Sequence, residues 1–204
     1  MYGCNYEVIR NIATYSNGGT HLSEEKFILY QGAVNEGRSF ETLIPAMKFI
    51  SIPLVICGNG NFYDKARALA KSSGIEDKIV FKGMVNPGNL KNYTDRAFIG
   101  ITLFEKNGLS NYYSLANRFF DYIRAGLPQL CVDYPVYREI NNEFEVALLI
   151  KDLSAENIAA QINSLINDPG KWEALHQNCL AAAKKYNWEN EEKKLISFYK
   201  NIFE

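Results

Sequence analysis

The sequence predicts a doubly wound α/β domain, with helices on both faces of a parallel sheet of about six strands. Three observations predict it. From residue 26 onward, short apolar runs alternate with amphipathic stretches, the order that repeated βα units produce. The runs are continuously apolar rather than alternating in polarity, as strands buried on both faces are. The segments after the runs are rich in glycine and asparagine, and in open α/β sheets ligands bind outside the carboxyl ends of the strands. The expectation is a Rossmann-like sheet.

The elements follow in order. FILYQG (27–32) reads as the first strand, with a helix over 40–50. LVICG (54–58) is the second, followed by a helix over 62–73. IVFKG (79–83) is the third, with a short helix around 90–93. FIGITLF (98–104) is the fourth and leads into a helix within 111–125. There Leu115, Phe119, Tyr122 and Ile123 recur at helical spacing, and Gly126 with Pro128 ends the helix. QLCVD (129–133) is the fifth strand, with a short helix over 137–141, VALLI (146–150) is the sixth, and the remainder reads as helical. Residues 1–26 hold few core residues and read as a linker or starting segment. The domain proper spans 27–187, and 188–204 is a helix beyond what the sheet needs.

Composition narrows the function classes. The 204 residues are 47% hydrophobic, enough for a sizeable core, and carry a net charge of -1, which offers no field for nucleic acid or an acidic membrane. No apolar run approaches the ~20 residues that span a bilayer, and the start lacks a secretory signal, so a cytoplasmic protein is expected. Cys4, Cys57, Cys131 and Cys179 form no C-x-x-C pair. Buried free thiols are expected, with no metal ligands and no cofactor. His21 and His176 read as surface residues, and Cys57 lacks an adjacent base that would make it a nucleophile.

The loops after the first four runs are QGAVNEGRS (31–39), CGNGN (57–61), KGMVNPG (82–88) and FEKNGLSNYYS (104–114). Glycines allow backbone N–H groups to approach a ligand, and helix starts favour phosphate. Arg38 stands where a helix begins, the wrong end of the dipole for a cation unless an anion neutralises it. The plain alternative is a solvated arginine paired with Glu36 or Glu41. Arg118 has the same character. Asn117, Arg118 and Asp121 share a helix face, so an Arg118–Asp121 ion pair is the bland reading. A carboxylate one turn beyond a phosphate loop is also placed to accept hydrogen bonds from ribose hydroxyls, giving a phosphate cradle over 113–118 and a ribose clamp at Asp121.

The stretch NYYSLANRFFDYIRAGLP (111–128) resembles the N-K-x-F-E-Y-x-x-x-G-x-P signature of retaining glycosyltransferases with the GT-B fold. YQGAVNEGRSFETLIPAM, LVICGNG, IVFKGMV and the late YNWE resemble that family's C-terminal domain in the same order. The resemblance implies the donor-binding half of an enzyme that moves a sugar from a nucleotide-diphosphate sugar to an acceptor. It assigns the ribose to Asp121, the diphosphate to Arg38 and Arg118, and the base to backbone at Met84 and Val85; Gly58, Tyr113, Ser114 and Asn117 complete the donor-binding set. It also implies that catalytic residues and a saccharide or lipid-linked acceptor belong to a missing N-terminal domain, through which any peripheral membrane contact would run. Asp121 replaces the family's usual glutamate, Arg118 its lysine, Tyr113 a frequent further glutamate, and Ala33 a frequent arginine. Half of a nucleotide-sugar 2-epimerase and a non-catalytic nucleotide-binding module are the alternatives.

Overall fold

The computed structural model describes residues 6–15 and 26–203. Six parallel strands form one sheet: β1 (Ile28–Gln31), β2 (Leu54–Cys57), β3 (Ile79–Gly83), β4 (Ile99–Thr102), β5 (Gln129–Val132) and β6 (Ala147–Ile150). Their order is β3-β2-β1-β4-β5-β6. The chain winds outward from β1 to one edge, then returns to build the other half from β4. The switch point therefore lies between β1 and β4, where Ile28 pairs with Ile99 and Leu29 with Gly100. Two connections leave a sheet in opposite directions at such a point, which opens a crevice at the carboxyl ends.

Burial follows the sequence pattern with one qualification. All residues of β1, β2, β4 and β5 are buried, whereas β3 and β6 are partly exposed because they are the edges. Alternation along β1 and β2 feeds two cores. Ile28, Tyr30, Leu54 and Ile56 join the larger one, and Leu29, Val55 and Cys57 face the smaller, with Tyr122 and Leu127.

The helices are α1 (Phe40–Ala46), α2 (Tyr63–Ser72), α3 (Pro87–Thr94), α4 (Gly108–Tyr113), α5 (Asn117–Ala125), α6 (Pro135–Phe144), α7 (Ala155–Ile166), α8 (Pro169–Lys185) and α9 (Trp188–Phe203). The first expected helix is shorter than its apolar pattern. Pro45 removes a backbone donor, and the chain finishes as a 3-10 turn over Met47–Phe49. The helix expected within 111–125 is two helices. Ser114 and Ala116 are extended, and the Tyr137 hydroxyl accepts the Ala116 N–H at 3.0 Å, which pins the break. Leu115 thus lies outside the helical stripe, although it still packs on the core. Gly126 closes α5 in the left-handed conformation, where a residue without Cβ is favoured.

Residues 6–15 run beside α9. Ile12 is buried in the main core, the Trp188 N–H donates to the Ala13 carbonyl at 3.1 Å, and the Tyr15 N–H reaches the Glu189 carboxylate at 2.9 Å. Glu191 is the anchor. It is buried, and it accepts from the Arg10 backbone N–H at 3.0 Å, the Arg10 guanidinium at 3.4 Å and the Lys194 ammonium at 2.7 Å. Burial alone raises a carboxyl pKa, but here the bonds from Lys194 and Arg10 outweigh it and the net shift is downward. A depressed folded-state pKa contributes stability above the ordinary glutamate value, and this is lost as pH falls through the folded one. Protection of the Arg10 amide against hydrogen exchange, corrected for the intrinsic rate at each pH, is therefore expected to fall below about pH 4.5 before that of the sheet amides does. Glu191→Gln should show fast exchange already at pH 7.

Candidate functional site

The crevice at the β1/β4 switch is walled by the loops after β1, β2 and β4 and by the start of α5. The first two loops touch at their glycines. A Cβ on Gly58 would lie 1.8 Å from the Gly32 carbonyl oxygen, and one on Gly60 would lie 2.5 Å from that of Val34. Backbone bonds then lace the walls: Gly32 N–H to the Cys57 carbonyl at 2.9 Å, Val34 N–H to Asn59 at 3.0 Å, and Glu105 N–H to Gly37 at 3.0 Å.

A further glycine decides where α5 sits. A Cβ on Gly100 of β4 would fall 2.5 Å from the Tyr122 ring, so its absence lets α5 press against the sheet. The Tyr122 hydroxyl donates to the Leu29 carbonyl at 3.2 Å and lies 3.3 Å from the Gln31 N–H. Close docking of α5 brings its first two turns, with Arg118 and Asp121, to the end of β1.

Arg118 is buried, with 8% exposure. Its guanidinium carbon lies 4.5 Å from the centroid of Tyr30 and 4.7 Å from that of Phe104, and Nη1 donates to the Gln31 carbonyl at 3.0 Å. Tyr30 is itself fixed, its hydroxyl donating to the Ala33 carbonyl at 2.6 Å. Arg38 comes to the same aromatic, 4.5 Å from the centroid of Phe104. Burial and the neighbouring Arg118 cation hold Arg38 below the usual guanidinium range. Neither arginine has a carboxylate within ion-pair distance among the described residues. Glu36, an expected partner of Arg38, instead meets Lys65 at 2.6 Å.

The crevice also concentrates unmet hydrogen-bonding capacity. Among the described residues, three buried side-chain atoms lack a hydrogen-bond partner: Arg118 Nε, Arg118 Nη2 and Ser39 Oγ. All belong to this region. Ser39 follows Arg38 with a φ of 58°, a left-handed conformation that costs a non-glycine residue about 1 kcal/mol or more. A buried donor left unpaired costs ~1–3 kcal/mol, and more when charged.

Asp121 does not pair with Arg118. Its Oδ1 lies 4.0 Å from Arg124, and its Oδ2 accepts from Gln31 Nε2 at 3.1 Å. Burial raises its pKa, with Arg124 and the Gln31 bond working in the opposite direction. The Asp121 side chain keeps 30% exposure, so it is not sealed from solvent.

On the β2/β3 side a cleft of about 310 Å³ is lined by Gly32, Cys57, Gly58, Met84, Val85 and Leu90, among others. Met84 is 77% exposed at its edge. Beside it the β2–β3 ladder slips, Cys57 pairing with Gly83 after Ile56 has paired with Phe81. The remaining expected residues lie along the entry to α5. Tyr113 ends α4 and is exposed, Ser114 Oγ donates to the Asn111 carbonyl at 3.1 Å, and Asn117 is the exposed first residue of α5.

The profile of the family described as glycosyl transferases group 1 matches residues 12–186. The chain belongs to that family. An uncharacterised glycosyltransferase of Methanocaldococcus jannaschii is 27% identical over 188 residues, which cover 89% of this chain and 46% of that one. A glycosyltransferase of Rickettsia africae superposes with a TM-score of 0.76 at 13% identity, covering 89% of this chain and 49% of that one. HepE of Anabaena, solved with UDP and glucose, gives 0.74 at 12% identity, covering 86% and 48%. The chain therefore spans about half the length of these relatives, and its fold is that of the C-terminal domain of GT-B glycosyltransferases.

Several features of this glycosyltransferase domain escaped the sequence reading. Gln31, Tyr30 and Phe104 organise the two arginines and Asp121. Gln31 carried a signal, as a polar residue closing an otherwise apolar strand, whereas Tyr30 and Phe104 looked like ordinary core. His176 is half-buried rather than a surface residue. Its Nδ1 lies 2.5 Å from the Gly126 carbonyl and its ring stacks on Trp172, 5.1 Å between centroids. Cys57, Cys131 and Cys179 are buried free thiols. Burial pushes the Cys57 thiol up to about 11, which leaves little thiolate at neutral pH. Cys4 and His21 lie outside the described residues. No group of three or more metal-binding side chains occurs among the described residues.

Proposed function

We propose that this domain binds the nucleoside diphosphate of a sugar donor and presents the sugar for transfer. One observation carries the reading: two arginines share one aromatic residue without a carboxylate, and one of them keeps two buried donors unpaired. A diphosphate supplies the charge and the acceptors that this arrangement lacks. On this reading Arg38 and Arg118 take the diphosphate, with Gly58, Ser114 and Asn117 beside it. Asp121 accepts from the ribose hydroxyls, the cleft at Met84 and Val85 receives the base, and Tyr113 stands on the sugar side. The acceptor is held by a second domain. Exposed Ile196, Tyr199, Ile202 and Phe203 on α9 are the apolar surface that such a domain would cover.

Titration calorimetry tests this. UDP, the nucleotide in the HepE structure, should bind residues 1–204 at least ~100-fold more tightly than uridine, since two charge-assisted contacts depend on the phosphates. GDP and ADP titrated alongside identify the base. Without a second domain the same polypeptide should leave a sugar nucleotide intact, because positioning the acceptor supplies ~7–11 kcal/mol of such a barrier. Equal affinity for nucleoside and diphosphate would remove the proposal.

A further inference from the structure

We infer that Gln31 is the positioning residue of this site, holding the Asp121 carboxylate for the ribose through its side chain while its main chain holds Arg118. The inference rests on the donor-binding reading above and extends it to a residue that touches no ligand. Gln31 ends β1 and is 3% exposed. Its Nε2 donates to Asp121 Oδ2 at 3.1 Å, and its Oε1 accepts from the Thr94 hydroxyl at 2.8 Å. Its carbonyl accepts from Arg118 Nη1 at 3.0 Å. One residue thus joins α3, β1 and both functional side chains of α5.

The chemistry fixes the orientation of the amide. Ionised aspartate is an acceptor only, so the NH2 group must face it and the oxygen must face Thr94, whose hydroxyl can donate. Thr94 is itself buried on the last turn of α3, the helix that carries Leu90 of the cleft. The amide is therefore held from the far side, and it restrains one carboxylate oxygen. The other oxygen faces Arg124 at 4.0 Å, beyond normal hydrogen-bond length. Without Gln31 the short aspartate side chain would be free to turn toward Arg124. A glutamine at the end of a buried strand is otherwise an unfavourable choice, because its amide must be desolvated.

Gln31→Met tests this, since it conserves length and volume, removes both polar atoms and leaves the main-chain bond to Arg118 intact. UDP and 2′,3′-dideoxyuridine diphosphate serve as probes by calorimetry, and thermal unfolding is followed in parallel. The variant should bind UDP roughly tenfold more weakly and the dideoxy probe as the wild type does. Equal weakening for both probes, or no change for UDP, would overturn the inference. Wild-type protein that binds the two probes equally would instead remove the ribose role of Asp121. For that case a ligand-free reading remains: the Asp121 carboxylate, followed by NMR, should titrate at higher pH in Gln31→Met than in wild type, because a bond favouring the charged form is gone. An unchanged titration means that Gln31 does not act on Asp121. If Gln31→Met fails to fold, Thr94→Val, which removes the hydroxyl that orients the amide, should show the same ribose-dependent loss in weaker form, and its absence overturns the inference.

Discussion

Arg118→Met is expected to weaken nucleoside diphosphate binding by ~2–4 kcal/mol, about 30- to 1000-fold, while leaving the ligand-free domain about as stable as before. The two effects separate because of where the guanidinium lies. It is buried between Tyr30 and Phe104, and only Nη1 has a hydrogen-bond partner. Methionine keeps an unbranched, polarizable chain against the rings. The variant loses one bond to the Gln31 carbonyl and the cation–π attraction, ~1 kcal/mol or somewhat more for each. It also removes two unpaired buried donors and the repulsion between Arg118 and Arg38, terms of similar size and opposite sign. With ligand present, no such offset exists, because the diphosphate would take the free donors. Calorimetry and thermal unfolding of the same preparation decide. A melting temperature that falls in step with affinity would make Arg118 a structural element of the crevice.

Asp121→Asn is expected to weaken nucleoside diphosphate binding by ~1.5–3 kcal/mol, with the loss confined to ligands that carry ribose hydroxyls. The 2′,3′-dideoxy form should bind variant and wild type alike. Stability moves the other way. Burial raises the Asp121 pKa in the folded state, so ionising it opposes folding. A carboxyl group of this kind contributes most below its unfolded value, and the contribution is lost as pH rises toward and through the folded one. The ligand-free wild type should therefore lose stability relative to Asp121→Asn as pH climbs from about 3.8, the ordinary aspartate value. Denaturant titrations of both proteins at several pH values measure this. A wild type that gains on the variant over that interval would show that the Arg124 and Gln31 contacts outweigh burial.

Both predictions concern a region whose ligand-free form carries unmet polar groups and backbone strain. Unpaired Arg118 donors, the left-handed Ser39 and a carboxylate whose ionisation burial opposes all cluster at the β1/β4 switch. Such strain persists where the surrounding structure over-determines it. Here Gly58 and Gly60 bring the loops together, and Gly100 lets α5 approach the sheet.

What the sequence determined by itself was the α/β class, the strands and their parallel arrangement, because continuous apolar runs and helical periodicity are local and survive without knowledge of neighbours. It also marked Arg38, Arg118 and Asp121, since a cation at a helix start and a carboxylate one turn into a helix are visible in one dimension. It placed the end of α5 at Gly126, where the chain must turn left-handed. The break between α4 and α5 was not legible, because the apolar stripe runs through Leu115 and the hydroxyl that pins the break comes from Tyr137 on α6. Partnerships were equally hidden. Asp121 meets Gln31 across 90 residues rather than Arg118 on its own helix, and Arg38 meets Phe104 rather than the nearby Glu36. Those outcomes depend on which loops the sheet order brings to one edge, and on helix packing distances set by single glycines. Tertiary structure alone decided them, because a side chain's alternatives within a few residues differ by only tenths of a kcal/mol, whereas a buried contact is selected by several.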